Sequence, residues 1–189
     1  MKRISLFLLA AFFVLTTFAQ EGYKIQIKIS GSQDASLLLA SYYGNKIRLV
    51  DTAFNKTPGN FVFEGKKALP GGVYMAVSPK KVKLFEFLIN KNQHFTLQTD
   101  TANISMHLKA LGSAENTVFF DYLQHSDKIY KKILALRKEL KKTKKDSPAY
   151  KQLQENIAAL RKENIAKRSE LIQSHPGTFV AKLFEAMEE

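Results

Sequence analysis

Cysteine is absent from all 189 residues of this chain. Without it the protein can form no disulfide, offers no thiolate nucleophile, and cannot build a Cys-x-x-Cys redox pair or a cysteine-ligated zinc site. Its stability therefore has to come from packing. Hydrophobic residues make up 45% of the chain and include 14 Phe and 7 Tyr, which is enough apolar surface for a buried core.

Recognisable catalytic motifs are also scarce. The sequence has no Gly-x-Ser-x-Gly elbow and no phosphate-binding glycine loop. The four histidines share no spacing that would place two of them on one face as metal ligands: His94, His107, His125 and His175. We therefore expect a protein that is not an enzyme and that binds no cofactor or metal. The alternative is a hydrolase whose site is assembled from distant residues.

The first residues have the pattern of a secretory signal. Lys2 and Arg3 precede an apolar stretch, residues 4–18, that is shorter than the about 20 residues needed to span a membrane. Ala19 follows as the small residue expected at a cleavage position. The sequence predicts a signal peptide over residues 1–19 and an exported protein, with an uncleaved N-terminal anchor as the alternative.

Residues 20–111 have the pattern of a β domain. Ile25 and Ile27 alternate with lysine and glutamine, which is the period of a half-buried strand. Turn residues such as Gly44 and Gly59 separate similar segments at regular intervals. Short strands spaced in this way are typical of antiparallel sheets. We predict an antiparallel β-sandwich of about seven or eight strands.

The pattern changes to a helical one at Gly112. Apolar residues then recur at alternating spacings of three and four, and Ser147 with Pro148 marks the start of a second helix. Thr178 is the expected cap of a short third helix. We predict an antiparallel helical hairpin and a short helix in residues 112–189, and an α+β fold overall. A self-associating coiled coil is the alternative.

A dense basic run lies between the two long predicted helices. Residues 141–145 read Lys-Lys-Thr-Lys-Lys, so Lys141, Lys142, Lys144 and Lys145 are candidates for contact with anionic lipid or an acidic glycan. Export disfavours nucleic acid as a partner, and no base-reading motif accompanies the run. The alternative is a solvated helix end whose charges compensate the helix dipole.

The tripeptide Asp-Thr-Ala occurs twice, at residues 51–53 and 100–102. It matches the Asp-Ser/Thr-small pattern and resembles the O-glycosylation acceptor of exported Bacteroidetes proteins. Thr52 and Thr101 are therefore candidate acceptors, and Thr101 is favoured because it follows a predicted strand. Asp-Thr is also ordinary turn chemistry, which is the alternative interpretation.

Several segments together resemble a known family. The segments that resemble the DUF4369 domain of Bacteroidetes, in their glycines, aromatics and strand residues, are residues 22–23, 37–44, 49–53, 59–65, 70–74 and 85–89. The helical part is similar to the region that follows that domain, at residues 112–116, 119–122 and 175–183. Such domains look like the N-terminal accessory modules of periplasmic thioredoxin-like proteins of the TlpA and AhpC/TSA types.

The resemblance implies a protein of the periplasm or cell envelope of a Gram-negative bacterium. It implies an accessory role, in which the chain positions or dimerises a thioredoxin-like domain, in cis or in trans, or binds another protein client. A homodimer of this chain is the alternative assembly. Relatives continue into a Cys-x-x-Cys domain that is missing here, so we expect either the N-terminal part of a longer protein or a stand-alone form. The alternative function is an envelope protein that binds glycan or anionic lipid through its basic surface.

Three tyrosines are candidate contact residues for such a partner: Tyr42, Tyr43 and Tyr74. Aromatic side chains are common in binding surfaces, but packing in the core or hydrogen bonding within a strand is the alternative for each.

Overall fold

A computed structural model describes residues 22–187 of the chain. The predicted signal peptide, residues 1–19, lies outside the described residues. The described chain forms eight strands followed by three helices. The strands are β1 (Tyr23–Ser30), β2 (Ser36–Tyr43), β3 (Lys46–Phe54), β4 (Asn60–Gly65), β5 (Gly72–Val77), β6 (Lys83–Ile89), β7 (His94–Asp100) and β8 (Lys109–Leu111). The helices are α1 (Ala114–Leu140), α2 (Pro148–Ser174) and α3 (Phe179–Ala186).

The strands form two sheets, with the orders β4-β1-β7-β8 and β3-β2-β5-β6. The period-two pattern of the sequence explains which side chains fill the space between them, because alternate residues of a strand face the same side. Ile25 and Ile27 of the first sheet and Leu37 and Leu39 of the second are fully buried. The predicted α+β fold, with N-terminal sheets, a helical hairpin and a short third helix, is therefore confirmed.

One ladder differs from the antiparallel arrangement that we predicted. β1 and β7 run parallel, with Lys24 opposite His94 and Ser30 opposite Asp100. Parallel neighbours need a long connection, and here the chain forms five strands, β2 to β6, in both sheets before β7 pairs with β1. The turn residues of the sequence indicate only local hairpins, so they carried no signal for this long-range pair.

Helix α1 begins against the sandwich and continues its core. Phe119 and Phe120 lie in the same buried cluster as the sheet residues, and Phe184 of α3 joins them. The predicted domain boundary between residues 111 and 112 coincides with the end of β8, but apolar side chains from both sides share one core. The division into a β domain, residues 20–111, and a separate helical region, residues 112–189, stays a prediction.

The distal parts of α1 and α2 form a projection that we call the helical arm, residues 125–165. It has a small apolar cluster of its own, built on Ile129, Ile133 and Ile157. Ser147 caps α2 by accepting a hydrogen bond from the Tyr150 N–H. The predicted cap is therefore confirmed, as is the cap of α3 by the hydroxyl of Thr178.

Candidate functional site

The hairpin that joins β2 and β3 leaves four large apolar side chains in solvent. Tyr42 is 47% exposed, Tyr43 73%, Ile47 64% and Leu49 57%. We call these four residues the hairpin surface. Single exposed apolar side chains are common on proteins, but several of them at the end of one hairpin favour an interaction site.

A β-bulge explains why this part of the hairpin is exposed. Leu39 pairs with Asp51 and Ala40 pairs with Leu49, so Val50 is an extra residue in β3. Bulges bend a strand and redirect its side chains. On one side of Val50, residues 46–49 are exposed, whereas Ala53 on the other side is only 3% exposed.

A two-residue turn at Gly44 and Asn45 sets the register of the exposed half. Gly44 has a φ of 58°, in the left-handed region that favours glycine, and its Cβ position is open space. The turn makes Tyr43 and Lys46 a cross-strand pair and Tyr42 and Ile47 the next one. Tyr42 and Ile47 therefore share one face of the hairpin, while Tyr43 lies on the other.

A groove of about 660 Å³ runs beside the Tyr43 face. The hairpin forms one wall of it through Tyr43, Arg48 and Val50, and residues 69–74 form the other. Tyr74 is 3% exposed and donates a hydrogen bond from its hydroxyl to the Pro70 carbonyl, at 2.8 Å. Burial raises the pKa of Tyr74. Its side chain is thus part of the packed base and does not reach outward as a contact residue.

Arg48 is the one charged side chain among the described residues that line the groove. Its side chain is exposed, and within residues 22–187 no carboxylate lies close enough to form an ion pair with it. A mainly apolar groove with one unpaired cation is suited to a ligand that combines apolar groups with a carboxylate.

On its other face the hairpin is anchored by a polar cluster. The Tyr42 hydroxyl donates to Glu86 Oε1 at 2.5 Å, and Lys83 Nζ donates to the same oxygen at 2.8 Å. Partial burial acts to raise the pKa of Glu86, but the hydrogen bonds from Lys83 and Tyr42 outweigh it and hold that pKa below its ordinary value. These bonds hold the Tyr42 side chain across β5 towards β6, on the face that it shares with Ile47.

The inner half of β3 is tied to the opposite sheet by Tyr23 and Asp51. The Tyr23 hydroxyl donates to Asp51 Oδ2 at 2.8 Å. Burial, followed by the hydrogen bond to this carboxylate, raises the pKa of Tyr23 to about 12. Tyr23 therefore holds β3 against the sandwich just beyond the bulge, next to the exposed residues 46–49.

A family model described as "Domain of unknown function (DUF4369)" matches residues 23–119. The chain belongs to the DUF4369 family. The match starts at β1 and reaches past the last strand into α1, and it includes the whole hairpin surface. No curated protein and no solved structure matches the chain. The predicted membership of the family is confirmed.

The predicted basic site lies outside the matched DUF4369 region, at the tip of the helical arm. Lys141, Lys142, Lys144 and Lys145 follow the end of α1 and are all exposed. Within the part of the chain that the structure describes, none of the four forms an ion pair. Their role in binding an anionic surface stays a prediction.

The two candidate glycosylation residues of the DUF4369 domain lie in different surroundings. Thr52 is partly buried within β3, whereas Thr101 is exposed in the bend after β7. The Asp100 carboxylate accepts hydrogen bonds from the backbone N–H groups of Ala102 and Asn103 and lies 2.7 Å from the His107 ring. The hydrogen bond from Asn103 is the main cause that lowers the pKa of Asp100. Modification of either threonine stays a prediction.

Residues 22–187 hold no cluster of three potential metal-ligating side chains, and none of the helices in this range has the length and apolarity to cross a bilayer. Ser78 and Lys81 have a Ser-x-x-Lys spacing that our sequence predictions did not include. They form a tight turn, in which the Lys81 N–H donates to the Ser78 carbonyl and the Ser78 hydroxyl accepts from the Val82 N–H.

Of the three candidate tyrosines, Tyr42 and Tyr43 lie together in the DUF4369 hairpin, and Tyr74 is buried. The prediction omitted Ile47, Arg48 and Leu49. The alternation of apolar and cationic residues here resembles that of any half-buried strand. A usable signal was the adjacent Gly44-Asn45 turn, which marks these residues as the end of a hairpin.

Proposed function

We propose that this DUF4369 protein is an exported, non-catalytic interaction module that binds a partner protein through the hairpin surface. The observation that carries the proposal is the exposure of Tyr42, Tyr43, Ile47 and Leu49 at the end of one sheet. Keeping four such side chains in water forgoes about 25 cal/mol for each Å² of apolar area that could be buried. A partner that covers the surface recovers this free energy.

The partner that we propose is a thioredoxin-like domain, in cis or in trans, in the periplasm. The support is the family resemblance together with the secretory pattern of residues 1–19. Rigid presentation of the surface favours such a role, because Tyr42 is held by Glu86 and the base of the hairpin by the Tyr23–Asp51 bond. A surface that is already ordered loses little conformational entropy on binding.

Site-specific photo-crosslinking in the native host tests the proposal. A photoreactive amino acid replaces either Tyr43 of the hairpin or Tyr130 of the helical arm, which are exposed tyrosines of similar size at 73% and 56%. We expect a discrete adduct with a thioredoxin-like protein or domain from position 43 and none from position 130. Absence of an adduct at position 43, or identical adducts from both positions, would contradict the proposal.

The basic tip of the helical arm supports a second function, binding of anionic lipid or glycan. The supporting observation is that four exposed lysines lie there without an acidic partner in the described structure. Such lysines contribute about 1 kcal/mol each near an anionic membrane, and the attraction falls with salt.

Sedimentation with anionic vesicles tests this second function. One variant changes Lys141, Lys142, Lys144 and Lys145 to Gln. A control with the same net charge changes four exposed lysines of the β domain: Lys66, Lys67, Lys80 and Lys91. Loss of salt-sensitive sedimentation in the arm variant alone supports the arm as the site, and an equal effect of both variants refutes it.

A further inference from the structure

The outer half of β3 is an open sheet edge. β3 is the terminal strand of its sheet, with β2 on one side only. In an antiparallel ladder that closes on a two-residue turn, hydrogen-bonded and non-hydrogen-bonded pairs alternate from the turn. Tyr43 and Lys46 close the turn, so Ile47 and Leu49 belong to non-hydrogen-bonded pairs. Their N–H and C=O groups therefore point away from β2.

These main-chain groups have no partner in the described part of the chain. No backbone or side-chain hydrogen bond reaches the outer side of Ile47 or Leu49 within residues 22–187. The open segment ends at the bulge at Val50, since the Thr52 N–H beyond it already donates a hydrogen bond to Asp51 Oδ1 at 2.7 Å. The open edge therefore has a defined length, residues 46–49, which suits a short extended segment.

Charge determines which segment can pair with this edge. Lys46 and Arg48 both lie in it and have no acidic partner in the described residues. A second copy that paired through the outward groups of Ile47 and Leu49 would place Arg48 directly opposite its own counterpart. Like charges in that position are destabilising, and the net charge of +12 adds to the repulsion. The edge therefore disfavours self-association.

We propose that residues 46–49 accept an extended segment of a partner protein by strand addition, with an Asp or Glu opposite Arg48 and an apolar residue on each side of it. The inference rests on the proposed function, because it names the chemistry by which the partner is recognised. Main-chain hydrogen bonds to Ile47 and Leu49 supply affinity, and side chains supply the selection.

The two faces of the hairpin fit the two kinds of side chain in this segment. In the added strand, the Asp or Glu of the partner segment that pairs with Arg48 lies on the same face as Arg48. Its carboxylate therefore meets the Arg48 guanidinium at the groove. Its apolar neighbours lie opposite Ile47 and Leu49, on the face that Tyr42 shares. An apolar–acidic–apolar sequence therefore satisfies both faces at once.

Nuclear magnetic resonance titration of the chain from residue 20 onward, the predicted exported form, tests the proposal. The probe is the blocked peptide Thr-Val-Glu-Val-Thr, and the matched control replaces its Glu by Lys. We expect the Glu peptide to shift the amide resonances of Ile47 and Leu49. The affinity for it falls by about two- to fivefold in Arg48→Gln, as one cross-strand charge pair predicts. We expect Arg48→Glu to reverse the preference in favour of the Lys peptide.

The outcome separates this inference from the broader proposal. If neither peptide shifts the amide resonances of Ile47 and Leu49, or if both peptides shift them equally, the strand-addition inference is overturned. The crosslinking result at position 43 is independent of it, since a partner could cover the hairpin surface without adding a strand. Arg48 is exposed, so retained dispersion of the remaining amide resonances shows that each variant is folded.

Discussion

The side-chain amide of Asn116 occupies the place of a neighbouring strand beside Leu88. Asn116 Oδ1 accepts from the Leu88 N–H at 2.7 Å, and its Nδ2 donates to the Leu88 carbonyl at 2.8 Å. Leu88 lies in β6, at the opposite edge of the sheet from β3. One edge of this sheet is therefore closed by α1, whereas the outer half of the other edge is open.

Replacing Asn116 by Ala tests the closed edge. Asn116 is fully buried, and the change leaves two buried main-chain groups of Leu88 without partners. We expect the free energy of unfolding to fall by about 2–4 kcal/mol. Chemical denaturation measures it, with Asn156→Ala on an exposed position of α2 as the control for helix propensity. A loss no larger than that of the control would contradict this role.

Gly65 is predicted to be required for the position of Tyr23. A Cβ added at Gly65 would lie 2.5 Å from Cε1 of the Tyr23 ring, which packs over this glycine. We expect Gly65→Ala to displace the ring, weaken its bond to Asp51 and destabilise the protein by about 1–3 kcal/mol. Gly71→Ala is the control, because its nearest neighbour is 3.5 Å away. Equal melting temperatures of the two variants would refute the prediction.

The Tyr23–Asp51 bond predicts a loss of stability at alkaline pH. The folded-state pKa of Tyr23, about 12, lies above the ordinary value of 10.0 for a free tyrosine. The unfolded chain therefore releases this proton first, so the stabilisation is complete below pH 10 and is lost as the pH rises towards 12. Chemical denaturation between about pH 8 and 11 measures the free energy of unfolding. We expect this free energy to fall less steeply with pH in Tyr23→Phe than in the wild type. Parallel declines would contradict the assignment.

The hydrogen-bonded carboxylate of Glu86 predicts that the protein loses stability at acidic pH. Its folded-state pKa lies below the ordinary value of 4.5 for a glutamate because the hydrogen bonds from Lys83 and Tyr42 outweigh the effect of burial. Folding favours the ionised form of Glu86. The stabilisation is therefore present above the ordinary pKa of 4.5 and is lost as the pH falls through the folded-state pKa. We expect Glu86→Gln to narrow the difference in stability between neutral and acidic pH. Glu155→Gln, exposed on α2, should leave that difference unchanged.

Local patterns predicted the local structure of this protein well. The alternation at Ile25 and Ile27, and the caps Ser147 and Thr178, depend on neighbours within a few residues, and each is found in the structure. The parallel pairing of β1 with β7 joins segments far apart in sequence, and such pairing leaves no mark on either strand alone.

The candidate site was only partly predictable for the same reason. Tyr42 and Tyr43 were named as candidate contact residues, but Arg48 and its neighbours were not. Their exposure depends on the bulge at Val50 and on the Tyr23–Asp51 bond, which together decide where β3 leaves the sandwich. Neither feature can be read from the alternation of residues in β3.

Amide hydrogen exchange of the isolated chain tests most directly the central claim, that the β3 edge is free to receive a partner. The Leu88 N–H is bonded to Asn116, so we predict slow exchange there, and fast exchange at Ile47 and Leu49, whose N–H groups point to solvent. Protection of Ile47 and Leu49 equal to that of Leu88 would contradict the account, because it would mean that this edge is already closed.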